Sequence, residues 1–142
     1  MIDQITVFLE NAEGRLSALC RTLAEANVNM SALTIADTAD YGVVRIICDD
    51  PALALDALNA ADYRAVATKV SAIAVPNEAG GLSKLLDTLD SLNLNIEYGY
   101  CFSVGEGEAV DVLKIRGAKE ADKAIQAIEA AGFRLLTHED LR

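Results

Sequence analysis

Asn11-Ala-Glu-Gly-Arg-Leu16 is written a second time 66 residues later as Asn77-Glu-Ala-Gly-Gly-Leu82. The residues after each copy repeat too. With residues 11–30 laid over 77–96 without a gap, Asn11/Asn77, Gly14/Gly80, Leu16/Leu82, Ser17/Ser83, Leu19/Leu85, Thr22/Thr88, Leu23/Leu89, Asn27/Asn93 and Asn29/Asn95 coincide, nine identities in twenty positions. Two copies at this spacing are too few and too long for a solenoid or a propeller. They read as two copies of one small domain, residues 1–68 and 69–142 of a 142-residue chain.

Each half is strand, helix, strand, strand, helix, strand. Residues 2–10 are rich in β-formers, and the glycine turn after them opens a helix with Leu16, Leu19, Cys20 and Leu23 on one face. Asn27 suits a left-handed helix end, as does Asn93 in the second copy. A strand over about 29–37 meets a returning strand over 43–48 through Thr38-Ala-Asp-Tyr-Gly42, where Asp37 and Asp40 are expected to shape the turn. Asp50-Pro51 is a capping carboxylate followed by proline at the first helical position.

Residues 63–76 run on as β-type sequence with no linker, so the last strand of one copy is expected to flow into the first of the next. The second half repeats the order: a leucine-striped helix from Leu82, strands over 95–104 and 108–116, a helix over 118–131 closed by Gly132, and a strand over 133–136. Beyond the second hairpin the offset is expected to grow from 66 to 69, pairing Val43–Ile46 with Val112–Ile115, the longer hairpin absorbing the difference. The polar tail to Arg142, with His138, is expected to be loose and exposed. The order βαββαβ is the ferredoxin-like α+β arrangement.

The charge of −10 and pI near 4.4 argue against nucleic acid and against an anionic membrane surface. Met-Ile-Asp-Gln has neither a basic region nor a long apolar run, so no secretory signal or membrane span is expected. Cys20, Cys48 and Cys101 fit no zinc or redox spacing and read as reduced thiols of a cytoplasmic protein. One histidine, no nucleophile motif, no phosphate loop and no metal-ligand cluster argue against an enzyme, a cofactor or a metal.

The Asn-x-x-Gly-x-Leu turn opening a helix, followed by Asn27-Val-Asn-Met30 or Asn93-Leu-Asn-Ile96 opening a strand, resembles the ACT domain. It does so twice and in register. Many ACT domains place proline before the turn glycine, where Glu13 and Ala79 stand here. The resemblance implies two ferredoxin-like (ACT) domains side by side, an eight-stranded antiparallel sheet with helices on one face. It also implies a non-catalytic regulatory protein that binds a free amino acid at the seam between domains. Carried onto this chain, the ligand-binding residues would be Asn11, Ala12, Glu13, Gly14, Arg15 and Leu16 with Asn29 and Met30, and Asn77, Glu78, Ala79, Gly80, Gly81 and Leu82 with Asn95 and Ile96. A homodimer and a metabolic enzyme partner are further implications.

These residue types suit an α-amino acid. Helix N-termini offer unpaired N–H groups to a carboxylate. Glycine lets the backbone approach, and an asparagine amide both donates and accepts. The copies differ: Arg15 stands where the second has Gly81, and Glu97, Tyr98 and Tyr100 replace Ser31, Ala32 and Thr34. The Gly80-Gly81 turn is therefore expected to form the better site. Tyr98 and Tyr100 fall on one face and read as core or interface rather than as pocket. Two alternatives stay open: a docking subunit resembling the small subunit of acetolactate synthase, and a small ferredoxin-like enzyme.

Overall fold

The computed structural model describes residues 1–10, 12–37, 41–103 and 105–141. The chain forms two compact units, Asp3–Thr68 joined by the C-terminal Leu141, and Lys69–Asp140 joined by Met1–Ile2.

In the first unit, β1 (Ile2–Glu10) leads through the first glycine turn into α1 (Arg15–Glu25). β2 (Met30–Asp37) and β3 (Tyr41–Cys48) follow, then α2 (Pro51–Ala60) and the opening of β4 (Arg64–Pro76). The strand order is β2-β3-β1-β4. Leu19 and Leu23 of α1 and Ala54 and Leu58 of α2 bury themselves against Ile5, Val7 and Leu9 of β1 and Val44 and Ile46 of β3. Alternation puts those strand residues on one face, so both helices cover the same side. Asp50 caps α2, its Oδ1 accepting from Leu53 N at 3.1 Å, with Pro51 inside the first turn.

The second unit takes the rest of β4, then α3 (Gly81–Asp90), β5 (Ile96–Ser103), β6 (Glu108–Ile115), α4 (Ala118–Ala130) and the short β7 (Arg134–Leu135). Its order is β5-β6-β4-β7. Leu85, Leu89, Ala121, Ala124 and Ile128 pack on Ile73, Val75, Leu113 and Ile115. Both units are therefore βαββαβ with antiparallel pairing among the registered strands and two helices on one face.

Four expectations change. The described residues form seven strands rather than eight, because residues 64–76 are one uninterrupted strand that serves as the last of one copy and the first of the next. The offset between copies after the hairpin is 67, not 69. Val7 pairs with Val44 and Ile73 with Asp111; Ile5 pairs with Ile46 and Ser71 with Leu113. The second hairpin thus carries one extra residue, and the remaining three lie in α4, since Tyr63 N bonds to Leu58 O where Phe133 N bonds to Ile128 O. The tail is ordered: Thr137 donates through N and Oγ1 to Asp140 Oδ2 (2.8 and 3.0 Å), a 3₁₀ turn spans Glu139–Leu141, and His138 is half-buried. Thr38, Ala39, Asp40 and Arg142 lie outside the described residues, as does Asn11.

Candidate functional site

The two glycine turns share one backbone. Gly14 has φ 80° and Gly80 φ 88°, the left-handed region that favours glycine. Ala12 N bonds to Glu10 O at 2.9 Å and Ala18 N to Gly14 O at 3.0 Å; Glu78 N bonds to Pro76 O at 2.9 Å and Lys84 N to Gly80 O at 3.0 Å. Among the described residues no side chain caps α1 or α3; Arg15 N and Gly81 N bond back to Ala12 O (3.3 Å) and Glu78 O (3.1 Å), which leaves the N–H groups after them to solvent or a ligand. A Cβ on either glycine would meet nothing within 4 Å, so the space in front of both turns is open.

Gly81 is different. A Cβ there would lie 2.2 Å from the Pro76 carbonyl oxygen, so the second glycine of Gly80-Gly81 is required by the close pass of α3 over the end of β4. The exchange of Arg15 for Gly81 therefore has a packing cause in the second half.

The expected site residues do not all converge. Ala12, Glu13 and Gly14 are exposed, Arg15 and Leu16 half-buried, and Leu16 packs on the first core. Asn77, Glu78, Ala79 and Gly80 are exposed, Gly81 is buried and Leu82 exposed. Asn29 exchanges hydrogen bonds with Asp49: its N–H donates to the side-chain Oδ1 at 3.0 Å and its carbonyl accepts from Asp49 N at 3.1 Å. Asn95 O accepts from Arg116 N at 2.9 Å. Met30 and Ile96 are half-buried against their cores.

Within each unit these strand starts lie at the far end of the sheet from the turn. Glu10 pairs with Tyr41 and Asp37 with Gly42, whereas Met30 pairs with Cys48. Seven strand steps at ~3.3 Å each put roughly 23 Å between them. Within one unit, a turn and a strand start are therefore too far apart to hold one small ligand together.

One cavity beside the first turn joins residues that the repeat did not single out. Phe8 and Glu10 from the end of β1, Arg15 from the first turn of α1, and Asp62, Tyr63 and Arg64 at the start of β4 enclose about 410 Å³. That is within the roughly 300–1,000 Å³ typical of small-molecule sites. The Arg15 guanidinium lies 5.4 Å from the Tyr63 ring centre and that of Arg64 5.6 Å from the Phe8 ring centre. Such stacking orients a guanidinium without using its N–H donors. Arg15 Nε is buried and has no hydrogen-bond partner among the described residues. Asp62 stands at φ 66°. The sequence signal for this cluster was the parallel between Asp62-Tyr63-Arg64 and Gly132-Phe133-Arg134.

The second half lacks the matching side chains. Gly81 replaces Arg15, and Ala74 stands at the offset of Phe8. Arg134 is engaged by Glu108 at 2.9 Å and Asp140 at 3.8 Å. The Thr137 backbone and hydroxyl donors, with Arg134 nearby, hold the Asp140 carboxyl below its usual range. Among the described residues no group of three or more His, Cys, Asp or Glu is placed to hold a metal, and no helix is long and apolar enough to cross a membrane.

The family model for the ACT domain pair matches residues 1–142. The chain belongs to the ACT domain pair family. The structure of protein BT0572 from Bacteroides thetaiotaomicron is similar to this ACT domain pair with a TM-score of 0.90 and 36% identity, over 99% of this chain and 94% of that one. The ligand-free regulatory subunit of aspartate kinase from Thermus thermophilus shares the fold with a TM-score of 0.65 at 17% identity, covering 92% of each chain. The corresponding subunit from Thermus flavus gives 0.58 at 17% identity, over 92% of this chain and 94% of that one. No curated protein matches the chain in sequence.

Proposed function

We propose that this ACT domain pair, with domains 1–68 and 69–142, is a non-catalytic regulatory protein of the cytoplasm that binds a free amino acid. The observation that carries this reading is the duplicated turn: one left-handed glycine and one uncapped helix N-terminus, twice, facing open space. An uncapped helix start suits a carboxylate through its N–H groups and dipole. The ligand-binding set is the turns Asn11–Leu16 and Asn77–Leu82 with Asn29, Met30, Asn95 and Ile96. Each turn is completed by a strand start from a neighbouring ACT domain, of this chain or of a second copy in a homodimer. Regulation follows by linkage, the bound amino acid favouring one arrangement that a partner reads. The partner is an enzyme of amino-acid or keto-acid metabolism; aspartate kinase, whose regulatory subunits share the fold, is one class and an acetolactate-synthase-like enzyme another.

The test is thermal unfolding against each of the twenty amino acids at millimolar concentration. A ligand of the folded state raises the midpoint by mass action. A shift for one or a few related amino acids supports the reading. No shift for any overturns it in favour of a docking subunit without a ligand.

A further inference from the structure

Four charged side chains line the cavity at the first turn, two of each sign, and among the described residues none of them is in an ion pair. Arg15 and Arg64 supply two guanidinium groups, Glu10 and Asp62 two carboxylates. No ion pair links any of them among the described residues, whereas Arg134, at the position matching Arg64, and Arg116 are held by carboxylates at 2.9 and 3.0 Å. Two rings hold the guanidinium groups instead, which leaves their N–H edges available, and a buried Arg15 Nε without a partner is the kind of orphan donor that a ligand satisfies. A simple anion would answer only half of this lining, and a simple cation the other half.

We infer that this cavity, and not its counterpart in the second domain, holds the amino acid as a zwitterion, with Arg15 and Arg64 clamping the carboxylate and Glu10 and Asp62 taking the ammonium. This rests on the amino-acid reading proposed above but departs from its placement at both turns: one ligand per chain, in the first domain, held by Glu10, Arg15, Asp62 and Arg64. Phe8, exposed at the rim, offers the ligand side chain an apolar surface. In the second domain a Cβ at Gly81 would meet the Pro76 carbonyl, so no arginine can stand there, and Arg134 is already neutralised by Glu108 and Asp140.

The experiment is calorimetric and thermal-shift titration of the full chain with the twenty L-amino acids, each beside its carboxamide, and with inorganic phosphate. The expected result is binding of at least one free amino acid at one site per chain, with its amide and phosphate silent. Arg15→Gln and Arg64→Gln should each weaken that amino acid about tenfold or more, the scale of a lost charge-assisted contact. Arg134→Gln, judged against its own baseline, should keep it. Asp62→Asn tolerates the left-handed backbone and removes only charge. It should weaken the amino acid while leaving the binding of the matching des-amino acid unchanged. Amino-acid binding that survives both Arg15→Gln and Arg64→Gln overturns this site while leaving the amino-acid reading intact. Phosphate binding as well as the amino acid would reduce the cavity to an anion site and overturn the zwitterion. Silence of the wild type toward all twenty overturns both the site and the reading.

Discussion

Cys101 and Asp111 face each other across β5 and β6, and the thiol donates its hydrogen to Oδ1 of the carboxylate while Oδ2 is buried without a partner among the described residues. By strand register the first half has Ile35 and Val44 at these two places. An apolar pair has thus become a polar one beneath the second turn, with Asp111 only 1% exposed. A buried oxygen without a hydrogen bond costs about 1–3 kcal/mol. Asp111→Val, which restores the residue found in the first half and a better strand former, should therefore stabilise the protein by about 1 kcal/mol or more. Urea unfolding measures it as a higher midpoint at unchanged slope. A lower midpoint would show that Asp111 contributes net stability.

The same pair sets the reactivity of Cys101. Burial first, then the hydrogen bond to Asp111 and its charge, push the thiol from 9.0 up to about 11. That rise lowers the thiolate fraction at pH 8 by roughly 100-fold, and the thiolate is the nucleophile. Iodoacetamide should modify Cys101, although the residue is exposed, more slowly than a free thiol, and faster in Asp111→Val, though short of the free rate because partial desolvation of the thiol remains. Equal rates in wild type and variant would remove Asp111 from the explanation.

Gly80 and Gly81 are adjacent yet should respond differently to alanine. At Gly80 the cost is conformational, since φ is 88° and a Cβ would meet open space; about 1 kcal/mol is expected. At Gly81 the new methyl would sit 2.2 Å from the Pro76 oxygen, so α3 must move off the end of β4. Overpacking of this kind costs about 1–3 kcal/mol or more. Denaturant unfolding of Gly80→Ala and Gly81→Ala should place the second well below the first. Equal losses would show that the turn relaxes freely.

The parts of the fold that local chemistry decides were legible in the chain. The glycine turns, the Asp50-Pro51 start of α2 and the left-handed Asn27 and Asn93 (φ 60° and 54°) all stand where residue type places them. The illegible parts depend on partners distant in sequence. The offset of 69 matched apolar residues by type, Val43–Ile46 with Val112–Ile115, whereas cross-strand hydrogen bonds set it at 67 and three further residues entered α4. The strand count fell to seven because nothing in residues 64–76 breaks the β conformation between the two copies. The cavity escaped the repeat for a related reason. Its rings and charges come from Phe8, Arg15 and Asp62–Arg64, and only Arg15 lies in the duplicated stretch.

Cys48 makes stability depend on alkaline pH. It is 1% exposed, and burial, reinforced by the charges of Asp49 and Asp50 against a backbone hydrogen bond at Asp50, raises its thiol from 9.0 to about 11. The folded state therefore binds more protons than the unfolded one between these values. The contribution is complete below 9.0 and is lost as pH rises toward about 11, a fall on the order of 2 kcal/mol. Urea midpoints at pH 8.5 and 10.5 should drop more in the wild type than in Cys48→Ala. Parallel drops would assign the alkaline loss to other groups.

Leu141 belongs to the first unit. Its side chain is 5% exposed and its carbonyl accepts from Ser31 Oγ at 3.0 Å, next to the start of β2. The 3₁₀ turn that presents it is closed by the two Thr137 bonds to Asp140, so a tail that reads as polar and loose has one apolar anchor and a reason to be ordered. Truncating a buried leucine costs about 2–5 kcal/mol, toward the low end where neighbours can close in. Leu141→Ala should lower stability by about 2 kcal/mol, and Ser31→Ala by about 1 kcal/mol through loss of the hydrogen bond. If the two changes act through one docked turn, the double variant should lose less than the sum, because either single change already frees the tail. Additive losses, or no loss with Leu141→Ala, would show that Leu141 does not anchor the turn.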